Sequence, residues 1–260
     1  MNGFCTPKEI AGIWTNNGVA KANLPAHKMI LLGILAGMYI GFGSCVFVMA
    51  TSVGDTGFES MFMKLVGASL FPVGLMMVVL CGAELFTGNN LLTLALMQKK
   101  ITVGKMLKNW IIVYIANLIG SVLLAFVLAK SGLFGGAAGE RAIAVATAKT
   151  AAPFMEMLLR GVLCNILVVL ALWFQAGAKS LIGKIFAIWF PIMLFVFAGF
   201  EHSIANMTYI PLGMFLGADV SVGTMFTANL IPVTIGNLIG GAVLIPVFYY
   251  FSYCRPAEKT

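Results

Sequence analysis

A chain of 260 residues that is 60% hydrophobic and only 10% charged is not an ordinary soluble domain, in which about 25% of residues are charged. A lipid bilayer accepts this much apolar surface, and the length suits one compact bundle of membrane-spanning segments. The net charge of +7 fits the excess of basic residues on the cytoplasmic side of membrane proteins, so we expect no nucleic-acid partner. The five cysteines show no paired spacing, and we expect no metal site and no cofactor.

Six hydrophobic stretches predict six membrane-spanning segments. They lie at about 28–50, 63–97, 106–130, 154–177, 182–215 and 223–252. A straight span needs about 20 residues, so the longer second and fifth stretches, which contain polar residues, predict helices that break and restart inside the membrane. We divide the chain into an N-terminal segment 1–27, a channel domain 28–252 and a cytoplasmic tail 253–260.

The basic residues outside the spans predict the orientation of the chain. Most of the 16 Lys and Arg residues lie before the first stretch, after the second and fourth stretches, and in the tail. The positive-inside rule places these segments and both termini in the cytoplasm, with the protein in the inner or plasma membrane. The segment from Thr6 to His27 favours a short amphipathic helix at the inner interface or a packing arm against a neighbouring subunit.

The chain repeats itself with a period near half its length. Residues 82–89 and 199–206 both read G-x-E-x-x-x-x-N, and residues 109–120 align without gaps on residues 229–240. Each half contains three spans, an odd number, so the second half must enter the membrane from the opposite side. Inverted repeats with broken helices place a transport site near the midplane, where the halves meet. The predicted fold is an all-α membrane protein of two inverted three-helix repeats.

Polar residues recur at matching positions inside the apolar stretches. Glu84 and Glu201 would place a charge where it is costly. Either each carboxylate binds backbone N–H groups freed at a helix break, which we favour, or both bind a transported cation. The asparagines are expected to hold the same loops or to link neighbouring spans by hydrogen bonds: Asn89 and Asn206 in the loops, Asn117 and Asn237 between the spans.

His202 differs from these residues because its repeat partner is Leu85, so the architecture of the break does not demand a histidine. An imidazole at a helix break could hydrogen-bond or protonate a small anion. Thr87, in the opposing break, could hydrogen-bond the imidazole or the anion. Lys149 is either a lysine at a pore mouth or an ordinary solvated loop lysine, and Asn165 lies inside the fourth stretch with no predicted direction.

The motifs at 84–88, 199–207 and 229–237 resemble those of the formate/nitrite transporter family, and the resemblance covers about 28–252. It implies an aquaporin-like fold that assembles in the lipid bilayer as a homopentamer, with one pore through each protomer. It also implies transport of small monovalent anions (formate, nitrite or hydrosulfide) and no enzymatic activity. Residues 148–153 look more like the nitrite or hydrosulfide branches than the formate branch.

The resemblance also assigns roles to individual residues. His202 matches the central pore histidine, Thr87 the threonine that faces it, and Lys149 a vestibule lysine. The remaining matches are pore-lining or loop-holding asparagines, Asn165 and Asn206, and the apolar constrictions on either side of the histidine, Phe71, Leu75 and Phe195.

Two transport mechanisms remain open at the level of sequence. In the first, the anion takes up a proton through His202 and Thr87 and crosses the apolar constriction as a neutral acid. In the second, the anion stays charged and His202 only donates a hydrogen bond. A cation transporter that uses the buried glutamates is the alternative function. A water channel would show paired Asn-Pro-Ala motifs, and a hydrolase a nucleophile turn, and the sequence contains neither.

Overall fold

The computed structural model of the chain describes residues 3–53 and 56–255, and these residues are almost entirely helical. The helices are α1 (Pro7–Ala22), α2 (Ala26–Ala50), α3 (Gly57–Leu70), α4 (Val73–Leu80), α5 (Phe86–Asn89), α6 (Leu92–Met97), α7 (Val103–Lys130), α8 (Ala137–Ala151), α9 (Phe154–Gly177), α10 (Leu181–Ala198), α11 (Ser203–Phe215) and α12 (Val222–Cys254). The last helix contains three π-helical turns. The end of the predicted tail, 256–260, lies outside the described residues.

Six helical segments are long and apolar enough to cross a membrane, which confirms the predicted number of spans. The second span consists of α3 and α4 and is followed by a non-helical break before α5 and α6. The fifth span, α10, ends in a similar break before α11. Gly82 and Gly199 both have φ +79° in these breaks, a left-handed conformation that a side chain would strain. The two broken helices predicted from the length and polar residues of the second and fifth stretches are therefore present.

Glycines allow the first and last helices of each half to pack closely. A Cβ atom added to Gly37 of α2 would lie 2.1 Å from the carbonyl oxygen of Asn117 in α7. A Cβ atom added to Gly236 of α12 would lie 2.1 Å from the carbonyl oxygen of Leu158 in α9. Small residues at such crossings let helix backbones approach within a membrane, where packing drives association.

A helix precedes the first span of each half, and only one of the two was expected. The helix α1 folds against its own bundle, with Ile10 and Trp14 buried, and so contributes to the protomer's own core. The helix α8 occupies a stretch that the sequence analysis treated as a connection between halves. Pro25 and Pro153 follow α1 and α8 and begin the next helices, α2 and α9. The inverted repeat therefore contains an additional short helix in each half.

Candidate pore

Two cavities penetrate the bundle and approach each other without meeting. The first, the Lys149 vestibule, has a volume of about 300 Å³ and is lined by residues of α8, α9, α10 and α11 around Lys149. The second, the Lys21 vestibule, has a volume of about 320 Å³ and is lined by residues of α1, α4 and the break after α4 around Lys21. A third cavity of about 10 Å³ lies between them.

The middle cavity is apolar apart from one histidine. It is lined by Ile40, Phe71, Leu75, Leu85, Val168, Ile192, Phe195 and His202. Phe71 and Phe195 also line the Lys149 vestibule. Leu75 and Leu85 also line the Lys21 vestibule, so the middle cavity separates the two vestibules. A volume of about 10 Å³ has room for about one water molecule, so an ion with its hydration shell does not fit here.

The two phenylalanines form the constriction on the side of the Lys149 vestibule. The rings of Phe71 and Phe195 meet edge to face, with their centroids 5.7 Å apart. The Phe195 ring is also stacked on the imidazole of His202 at 5.9 Å. The structure thus brings together the two aromatic residues and the histidine that the sequence analysis singled out, and Leu75 lies against the same small cavity.

His202 is held in one orientation by contacts to both of its ring nitrogens. Its Nδ1 atom accepts a hydrogen bond from the backbone N–H of Ala205, at 3.1 Å, and caps the start of α11. Its Nε2 atom lies 2.8 Å from the hydroxyl oxygen of Thr87, in α5. Because Nδ1 accepts, the neutral imidazole carries its proton on Nε2 and donates toward Thr87. A hydrogen-bond donor is therefore fixed beside the narrowest part of the path.

Each glutamate of the two breaks forms an ion pair with a lysine from the preceding short helix. The Nζ atom of Lys149 lies 2.9 and 2.8 Å from the two carboxylate oxygens of Glu201. In the other half, Nζ of Lys21 lies 2.5 Å from a carboxylate oxygen of Glu84. The amides of Asn206 and Asn89 each donate to the glutamate of their own half, both at 2.7 Å. The two halves therefore repeat one network of lysine, glutamate and asparagine.

The backbone N–H groups at the breaks have partners other than the glutamates, which corrects the expectation from sequence. The backbone N–H of Phe86 donates to Asn117 Oδ1, and that of Ser203 donates to Asn237 Oδ1, both at 2.9 Å. The physical reason is that the carboxylates have a stronger partner available, because a lysine ammonium compensates a buried negative charge better than an amide does. The neutral asparagine side chains then bind the freed backbone groups.

The asparagines also tie these breaks to neighbouring helices. The Asn117 amide donates to the carbonyl oxygens of Gly33 and Glu84, at 2.8 and 2.9 Å. The Asn237 amide donates to the carbonyl oxygens of Gly161 and Glu201, at 2.8 and 3.0 Å. Each asparagine therefore connects a broken helix to the first span of its own half.

The two asparagines that the resemblance placed in or near the pore occupy different positions. Asn206 lines the Lys149 vestibule and donates to Glu201 and to Asn229, in α12. Asn165 lines none of the three cavities along the axis. Its amide donates to the carbonyl oxygens of Asn237, at 2.8 Å, and Thr87, at 3.3 Å. Asn165 thus contacts the backbone of the residue that faces His202.

Two residues of the path were not chosen as site residues from sequence. Lys21 stands in the second vestibule where Lys149 stands in the first, and both follow an alanine near the end of a short helix. Leu85 closes the middle cavity on the side of the Lys21 vestibule. The sequence carried a signal for both: Ala20-Lys21 precedes the first span as Ala148-Lys149 precedes the fourth, and Leu85 is the repeat partner of His202.

Comparison with known proteins finds relatives along nearly the whole chain. A family model for formate/nitrite transporters matches residues 8–251. The chain is 41% identical to the uncharacterized transporter YrhG of Bacillus subtilis, over 96% of this chain and 94% of that protein. It is 37% identical to a probable formate transporter of Methanothermobacter thermautotrophicus, over 97% of this chain and 98% of that protein. It is 36% identical to the formate channel FocA of Escherichia coli, over 96% of this chain and 94% of that protein.

Solved structures share the same architecture. An "FNT family ion channel" superposes with a TM-score of 0.86 at 29% sequence identity, and the match covers 95% of this chain and 99% of that one. A "pentameric formate channel with formate bound" superposes with a TM-score of 0.78 at 33% identity, over 88% of this chain and 98% of that one. The broken second and fifth helices therefore belong to a fold already seen in channels.

Proposed function

Because the chain belongs to the formate/nitrite transporter family, we propose that it passes small monovalent weak-acid anions across the membrane, with formate as the first candidate. Formate channels stand among its relatives, and this places formate ahead of the nitrite and hydrosulfide suggested by residues 148–153. A structural neighbour that is a pentamer with bound formate supports a homopentamer with one pore in each protomer. The positive-inside rule supports cytoplasmic termini, with the Lys149 vestibule outside.

The observation that carries this proposal is the single polar group in the middle cavity. Seven apolar side chains and His202 line that cavity, and the imidazole is fixed with its Nε2–H toward Thr87. A cavity of about 10 Å³ excludes hydrated ions. One donor beside such a space suits an acceptor of a few atoms, such as a carboxylate oxygen.

Approach to the constriction is the first step of the proposed mechanism. A lysine stands in each vestibule, Lys149 on one side and Lys21 on the other. An ammonium group has three N–H donors, and Glu201 occupies two of those of Lys149. The same Nζ atom lies 5.1 Å from the centroid of the Tyr209 ring, and an anion that reaches the bottom of the vestibule meets this ammonium group.

Passage of the apolar segment is the second step. A bare charge in a low-dielectric environment is strongly disfavoured, and the same environment raises the pKa of a weak acid, so the anion gains a proton as it enters. The neutral acid then passes Phe71 and Phe195 while His202 and Thr87 donate or relay the proton. The apolar lining favours this route over passage of the charged anion, for which His202 would be only a hydrogen-bond donor.

The alternative, cation transport through the glutamates, has less support. Glu84 and Glu201 are each paired with a lysine, so neither offers a free negative charge. Both line a vestibule, and neither lines the middle cavity. A cation would therefore cross the narrowest segment with no carboxylate beside it.

Flux into proteoliposomes tests the proposal. The panel is formate, nitrite, hydrosulfide, chloride and sodium at two pH values, with wild type, His202→Phe and the matched control His27→Phe. We expect weak-acid anion flux that rises at low pH, is altered by His202→Phe, and is unchanged by His27→Phe, because His27 is exposed at the start of α2. Sodium flux without anion flux would refute the proposal.

A further inference from the structure

The two vestibules differ in charge, although the repeat makes them alike in architecture. The Lys21 vestibule is lined by one lysine and one glutamate, Lys21 and Glu84. The Lys149 vestibule is lined by four basic residues and one acid: Lys64, Arg141, Lys149, Arg160 and Glu201. Among the residues that line the two vestibules, the excess of positive charge is therefore confined to the Lys149 vestibule.

Two of the four basic residues are neutralised by nearby carboxylates. Lys149 is paired with Glu201, and Arg160 is paired with Glu156 at 2.8 Å. In the described part of the chain, neither Lys64 nor Arg141 forms a salt bridge. Lys64 and Arg141 are therefore the two basic residues of the vestibule lining that no described carboxylate pairs with.

Lys64 and Arg141 also line a separate polar cleft beside the vestibule, with a volume of about 350 Å³. Three hydroxyl side chains, Thr51, Ser52 and Ser60, line the same cleft, and Glu140 is the one acid among the described residues that line it. The Nε atom of Arg141 donates to the hydroxyl of Thr51 at 3.1 Å, which orients the guanidinium group. Its terminal nitrogens remain available as donors. The hydroxyls of Thr51 and Ser52 donate to carbonyl oxygens of α2, at 2.9 and 2.7 Å, so Ser60 is left as the hydroxyl donor of the cleft. Two cations from α3 and α8 thus converge on a cleft with one further hydroxyl donor.

The fold itself does not require these charges. The register that aligns Lys149 with Lys21 places Ile13 at the position of Arg141 and Leu32 at the position of Arg160. The first half of the chain therefore forms its lysine–glutamate–asparagine network around Lys21 with apolar residues at both of these positions. Arg141 and Arg160 are therefore not needed to hold the break.

We propose that Lys64, Arg141 and the hydroxyl of Ser60 form an anion-collecting site that binds small oxyanions before they enter the Lys149 vestibule. Monovalent carboxylates pass from the cleft into the Lys149 vestibule, because Lys64 and Arg141 line both cavities. Divalent tetrahedral oxyanions bind more tightly but cannot pass a cavity of about 10 Å³, so they inhibit flux from this side of the membrane only. The transport consequence rests on the proposed function, whereas the binding site does not.

Sulfate binding to the detergent-solubilised protein tests the site directly by titration calorimetry. We expect the wild-type protein to bind sulfate. The affinity of Lys64→Gln/Arg141→Gln for sulfate should be lower by at least about tenfold, because charged clefts raise the local concentration of a counter-ion by at least that factor. Lys108→Gln/Lys130→Gln removes two exposed charges outside the cleft and should bind as wild type does. Equal affinity in the two double variants overturns the site, whether or not the protein transports formate.

Formate flux in membrane vesicles of both orientations tests the consequence. At low ionic strength, Lys64→Gln/Arg141→Gln should reduce flux through the Lys149 vestibule about three- to tenfold, and the reduction should vanish at about 1 M salt, where the Debye length is about 3 Å. Sulfate should inhibit wild type in one vesicle orientation only. Equal inhibition of wild-type flux by sulfate in both vesicle orientations would overturn the collecting role. Equal inhibition by sulfate of Lys64→Gln/Arg141→Gln and of Lys108→Gln/Lys130→Gln would overturn it as well. Absence of formate flux from wild type would instead count against the proposed function.

Discussion

The Nε2 atom of His202 lies 2.8 Å from the hydroxyl oxygen of Thr87, and this contact joins the two broken helices at the centre of the protein. His202 caps the second half of the fifth span, and Thr87 lies in the short helix after the break of the second span. Both side chains are buried, at 3% and 0% exposure. This hydrogen bond therefore links the two inverted halves beside the apolar cavity.

Removing the hydroxyl of Thr87 should slow anion flux. In Thr87→Val the Nε2–H of His202 loses its partner, and an unsatisfied buried polar group costs about 1–3 kcal/mol, which corresponds to a loss of about 5- to 150-fold in rate. Thr87→Ser keeps the hydroxyl and should retain most of the flux. Stopped-flow uptake of formate by proteoliposomes measures both. If the valine variant transports as fast as the serine variant, the contact has no part in transport.

The lysine–glutamate pairs should stabilise the breaks. In Lys149→Gln the carboxylate of Glu201, whose side chain is 7% exposed, loses its cation, and breaking a buried pair costs about 3–5 kcal/mol. The thermal midpoint in detergent should fall, and the double variant Lys149→Gln/Glu201→Gln should recover most of the loss. Lys21→Gln should behave similarly because the network repeats. A single variant with an unchanged midpoint would show that water compensates the carboxylate.

The sequence alone was sufficient to predict the spans and the breaks. The length of an apolar stretch shows whether it can cross a membrane, and polar residues inside a long stretch indicate a break. The paired asparagines of 109–120 and 229–240 gave the repeat. The helix α8 was missed because its residues are mostly small and form no apolar stretch of spanning length. The partners of the glutamates were also missed, because Lys21 and Glu84 are far apart in sequence and only the packing of α1 brings them together.

The polar cleft could not be predicted either, because only the packing of distant helices brings its residues together. Lys64 and Arg141 lie on different helices in different halves of the chain, and each resembles an ordinary surface cation when taken alone. By contrast, the aromatic constriction followed from a resemblance to a known family, not from the residues themselves. Phe71 and Phe195 carry no local signal that distinguishes a pore from a lipid-facing surface.

Shortening Leu85 should widen the path on the side of the Lys21 vestibule. Leu85 is 2% exposed and lines the middle cavity, so Leu85→Ala enlarges this cavity, through which the acid passes in the proposed mechanism. Acetate flux should rise relative to formate flux by about tenfold, because one methyl group in an apolar pocket is worth about 10- to 200-fold in discrimination. Leu80→Ala is the matched control, since Leu80 is 41% exposed and lines none of the cavities on the axis. An equal change in both variants would place the selective barrier elsewhere.

Adding one methyl group to Gly236 should separate two packed spans. The new Cβ atom would lie 2.1 Å from the carbonyl oxygen of Leu158, a backbone atom that cannot rotate away, so α9 and α12 must move apart. Overpacking of this kind costs about 1–3 kcal/mol, and Gly236→Ala should unfold at a lower temperature in detergent. Gly12→Ala is the control, because a Cβ atom there meets nothing within 4 Å and alanine favours a helix over glycine by about 1 kcal/mol. The two substitutions should therefore shift the midpoint in opposite directions, and a shift of the same sign and size would show that close packing at Gly236 does not stabilise the fold.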